Sequence, residues 1–67
     1  MNTPHLMTAT ERREKIAYWM DEAAFMASHH RELAAFTRDP ARKQTHGALS
    51  DQWYAEHQRL KREHPDV

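Results

Sequence analysis

Between Ile16 and Ala27 the chain reads I-A-Y-W-M-D-E-A-A-F-M-A, and Asp21 and Glu22 are its only charges. A helix that is apolar nearly all round is normally buried nearly all round. The chain has 67 residues, enough for one small domain. Domains of this size bury only about 60% of their unfolded surface and are marginal unless stapled or oligomeric. There is no cysteine, which removes both the disulfide staple and the zinc–thiolate site. The surplus apolar surface therefore predicts a partner: a second copy, another protein, or both.

Two long helices are expected. Thr8 followed by Glu11 has the form of a capping box, and no Pro or Gly intervenes before Thr37. Helix 1 is read over residues 9–37, after an arm at 1–8. Asp39-Pro40 suits the N-cap and first position of a second helix, read over 40–63, with 38–39 as the turn and 64–67 as a tail beyond the Pro65 boundary. The fold class is all-α: an antiparallel two-helix hairpin that pairs into a four-helix bundle. Gly47 either admits a close helix contact or marks a break, and the continuous helix is favoured.

Periodicity assigns the faces. On helix 1, Ile16, Trp19, Met20, Ala23, Met26, Ala27, His30, Leu33 and Ala34 follow heptad spacing and form the expected seam. On helix 2 the matching stripe is His46, Leu49, Trp53, His57, Leu60 and His64. The hairpin and dimer core is thus expected at Ile16, Trp19, Met20, Ala23, Met26, Leu33, Leu49, Trp53 and Leu60. A second line on helix 1, Tyr18, Phe25, His29 and Phe36, projects within about 40° on the helix circumference. Large apolar patches of this kind mark interaction sites, here a homodimer interface for at least part of the line or a docking surface for another protein. With Arg38 and Arg42 at the turn, this line is the expected partner-binding surface, aromatic and arginine residues being the usual interface anchors. Ala17, Ala24, Ser28 and Ala35 form a third, small-residue line that suits close helix packing.

Several function classes are disfavoured. Ten Lys and Arg balance ten Asp and Glu, which lacks the basic excess expected of a phosphate-binding protein. No stretch approaches the ~20 apolar residues of a membrane span, and the start resembles no signal peptide, so a soluble cytoplasmic protein is expected. Six histidines are present, but none has the H-x3-H or H-E-x-x-H spacing that places two ligands on one helix face. A metal site would need ligands from both helices or both subunits, for example His30 with His57, and no metal or other cofactor is expected. Histidines on packed faces predict assembly sensitive to pH below about 6.5. There is no nucleophile in a recognisable setting and no phosphate loop, and a hairpin offers no deep pocket for a small-molecule substrate. A non-enzyme is expected.

The charged helical start T-E-R-R-E-K-I-A, the stretch A-F-M-A-S-H-H-R-E-L-A-A-F and the turn D-P-A-R resemble the small accessory proteins of temperate phages that bind and inhibit host proteins. The plan is similar to that of a dimeric two-helix quorum-sensing anti-activator directed at LuxR-type regulators, and to some small anti-CRISPR proteins. The resemblance implies an inhibitor of a host protein and transfers no individual functional residue. The alternative is a structural or nucleic-acid-associated helical adaptor.

Overall fold

In a computed structural model, which describes residues 8–67, the chain forms two α-helices, α1 (Ala9–Phe36) and α2 (Pro40–Glu63), packed as an antiparallel hairpin. The expected arm falls almost wholly on residues 1–7, outside the described residues. Thr8 caps α1: its Oγ1 accepts from the Glu11 backbone N–H at 3.1 Å, satisfying one of the donors a helix start leaves open. At 28 residues, α1 is about 42 Å long at 1.5 Å per residue.

α1 ends one residue earlier than expected. Thr37 is extended (φ −75°, ψ 143°), and its N–H donates to the Leu33 carbonyl. The turn is therefore Thr37–Asp39, locked by side chains. Thr37 Oγ1 accepts from the Asp39 N–H at 3.2 Å, and Asp39 Oδ1 accepts from the Ala41 N–H at 2.9 Å. Pro40 starts α2 where its missing N–H costs nothing. α2 runs unbroken through Gly47. A methyl group placed there would meet no atom within 4 Å, so close packing within the hairpin does not require the glycine.

The helices meet along Ile16, Ala23, Ala27 and Leu60, the buried apolar residues among those described. Alanines sit at the closest approach because only small side chains let two backbones come together. The Ser50 hydroxyl crosses the seam and donates to the Ala27 carbonyl at 2.7 Å. Met20, Met26, Leu49 and Trp53 are half-buried, as expected for seam residues of a thin structure. Trp19 and Leu33, expected in the hairpin and dimer core, remain 50% and 36% exposed in the hairpin itself. At 100° per residue they lie about 60–100° round from the Ile16–Ala23–Ala27 line, where a two-helix layer has no third element to cover them.

The hairpin is elongated and only 13 Å thick, with a radius of gyration of 16.1 Å. A compact domain of this length would measure about 11 Å. Among the described residues, no helix is long and apolar enough to cross a membrane.

Candidate protein-binding surface

The line Tyr18, Phe25, His29 and Phe36 lies on the side of α1 facing away from α2. Tyr18, Phe25 and Phe36 are 64%, 65% and 82% exposed, and His29 is exposed as well. This follows from spacing alone, since positions about 160° from a seam of 3.6-residue period cannot reach it. Arg38 and Arg42 are exposed at the turn. Arg42 lies 3.8 Å from Asp39 across one helical turn, an exposed pair of small energetic weight. The structure thus brings the four residues of the line together on one edge and places the two arginines at its turn end.

The line is tied to the seam by a run of rings. Phe25 stacks on His29, with centroids 5.8 Å apart and planes inclined by 7°. His29 meets His30 edge-on at 5.6 Å. His30 in turn reaches across to His46 on α2, its Nδ1 lying 3.0 Å from the His46 Nδ1. The centroids of that last pair are 5.2 Å apart and the planes differ by 21°. The rings therefore meet edge to edge, nitrogen facing nitrogen, and one Nδ1–H donates to the other Nδ1. His30 was expected to be a hydrogen-bonded seam histidine, and it is one. His57, the residue named with His30 as what a cross-helix metal site would require, lies elsewhere. His57 lines the groove on one broad face with Ala24, Ser28, Ser50, Asp51 and Tyr54, and His30 and His46 are the pair equidistant from Arg38 in the turn. That symmetry about the turn was a signal available in the sequence. The exposed Tyr54 was not singled out by periodicity, because it lies off the α2 stripe. Among the described residues, no group of three or more His, Asp or Glu side chains is gathered as a metal site.

The pair responds to protons with a definite sign. Burial against the seam, then the His46 charge, then the His29 charge hold the His30 pKa below its ordinary 6.5. The folded chain consequently binds fewer protons than the unfolded chain as pH falls through 6.5, and stability falls with it. The loss levels off below the lowered folded pKa. A second proton would also replace the N–H···N bond with two opposed N–H donors. Thermal melting followed by circular dichroism is expected to show a midpoint constant above neutral pH and falling below about 6.5. His46→Gln is expected to flatten that slope, since it removes the facing imidazole whose charge helps hold the His30 pKa down.

Elsewhere the surface is held by local charge pairs. Arg59 bridges Glu56 and Glu63 along α2, with Nε to Glu56 Oε2 at 3.0 Å and Nη1 to Glu63 Oε2 at 2.9 Å. The hydrogen bond from Arg59 keeps the Glu56 carboxyl below its usual range, with the guanidinium charge adding to the effect. Arg13 lies 3.6 Å from Asp66, joining the start of α1 to the tail. Comparison with protein-family models, curated proteins and solved structures finds no match to the chain.

Proposed function

We propose that this protein is a binding module that blocks a regulatory protein by direct contact through the outer edge of α1. The observation that supports this reading is the exposed line of Tyr18, Phe25, His29 and Phe36, three large rings and a histidine on one rigid helix. Aromatic residues with few rotatable bonds supply contact area at low entropic cost and dominate interface energetics. Arg38 and Arg42 at the turn add donors for a carboxylate on the partner. The resemblance described above makes a host regulator, for instance of the LuxR type, the class of target to try first, with a component of a CRISPR defence as the alternative target.

Tagged protein used for affinity capture from nuclease-treated bacterial lysate is expected to retain one stoichiometric protein. With that protein purified, Tyr18→Ala combined with Phe25→Ala is expected to weaken binding by about 30-fold or more, equivalent to ~2 kcal/mol, without loss of helicity. Undiminished binding by the double variant would remove the edge of α1 as the site. Retention lost on nuclease treatment would favour a nucleic-acid adaptor instead.

A further inference from the structure

The broad face of the hairpin opposite Ala24 and Tyr54 carries a line of apolar residues. Trp19, Met26 and Leu33 follow one another at heptad spacing on α1. Trp19 shares a shallow groove with Trp53 and Leu60 of α2, rimmed by Glu22 and Glu56. Leu49, one heptad before Glu56, lies on the same side. We infer that a second copy of this chain covers this face, with its turn lying over the first copy's open end.

The face is self-complementary in that orientation. The cross-helix bonds His30–His46 and Ala27–Ser50 fix the register of the hairpin, and this register puts the level of Met26 midway between Leu49 and Trp53. A twofold axis at that level, lying in the interface and perpendicular to the helices, stacks α1 on α1 and α2 on α2. Trp19 then meets the other copy's Leu33, Leu49 meets its Trp53, and Met26 meets its own equivalent. Each indole is opposed by a smaller aliphatic side chain, the alternation that lets facing layers interdigitate. An isologous contact requires this reciprocity.

Thickness adds a second reason. A layer 13 Å thick leaves the apolar face without the second layer around which domains are built.

This arrangement has a functional corollary that rests on the proposed partner-binding reading. Since α1 stacks on α1, the two outer edges fall on the same side of the bundle. The two lines of Tyr18, Phe25, His29 and Phe36 become one twofold-symmetric surface, and a single hairpin carries only half of it.

The chain contains no cysteine, so introduced pairs report cleanly. Sedimentation of the unmodified chain is expected to give twice the chain mass. Trp19→Cys and Leu33→Cys chains, mixed and mildly oxidised, are expected to yield the mixed disulfide in excess over either same-residue disulfide. Both positions are exposed in the hairpin, so these changes leave its seam intact. A monomer at all concentrations overturns the inference. So does preferential cross-linking of Trp19→Cys to Glu56→Cys, which reports turns at the same end. A chain that cross-links as expected but retains no protein from lysate supports the pairing and overturns only the functional reading.

Discussion

Ala23→Glu is expected to abolish cooperative folding of the hairpin, while Ala24→Glu next to it leaves the hairpin folded. Ala23 is 1% exposed and sits where the two helices touch. A carboxylate there must either be buried without a partner, at a cost of several kcal/mol, or push the helices apart. Stability on the scale of ~0.05–0.15 kcal/mol per residue amounts to only about 3–10 kcal/mol for a chain of this length, so either route removes most or all of it. Ala24 is exposed on the broad face, and glutamate is a good helix former. Far-UV circular dichroism during heating distinguishes the two. A sharp melting transition retained by Ala23→Glu would mean that the seam is not where the structure places it.

Leu60→Ala should produce the next largest effect. Leu60 is the buried large side chain that α2 contributes to the seam, and the register sets it opposite Ile16. Truncating a buried leucine costs about 2–5 kcal/mol, depending on how far the site collapses. The thin layer around Leu60 can close partly, which favours the lower half of that range. At roughly 4–8 °C per kcal/mol for a domain this small, the midpoint should fall by about 10–25 °C at fixed protein concentration. Leu33→Ala at an exposed position serves as the control for the hairpin, with a much smaller shift expected in a dilute sample. Equal losses in the two variants would contradict the distinction between seam and flank.

The hairpin was legible because its punctuation is strong. Thr8 with Glu11, and Asp39 with Pro40, carry the capping chemistry that starts helices, and the structure uses both. The exposed line on α1 was legible for a similar reason: spacing alone fixes which residues share a helix face. Hydrophobicity alone did not separate Trp19 and Leu33 from the residues that α2 covers. A stripe read as one broad seam contains two directions, and the closest contact goes to alanine because backbone approach, not side-chain size, governs a two-helix seam. The His30–His46 bond was missed because pairing across a hairpin depends on the register set at the turn, which periodicity within one helix does not report.

The placement of the buried residues along the hairpin governs how it closes. Near the turn, the helices are held by polar contacts, His30 to His46 and Ser50 to Ala27. The apolar clamp of Ile16 and Leu60 lies at the far end. Loop closure makes contacts beside the turn the least costly to form, so zipping starts where little apolar surface is buried and finishes where most of it is. A half-zipped chain has spent backbone entropy without the burial that offsets it. Such a molecule has no stable resting point between open and closed, and its two helices come together or part as one event.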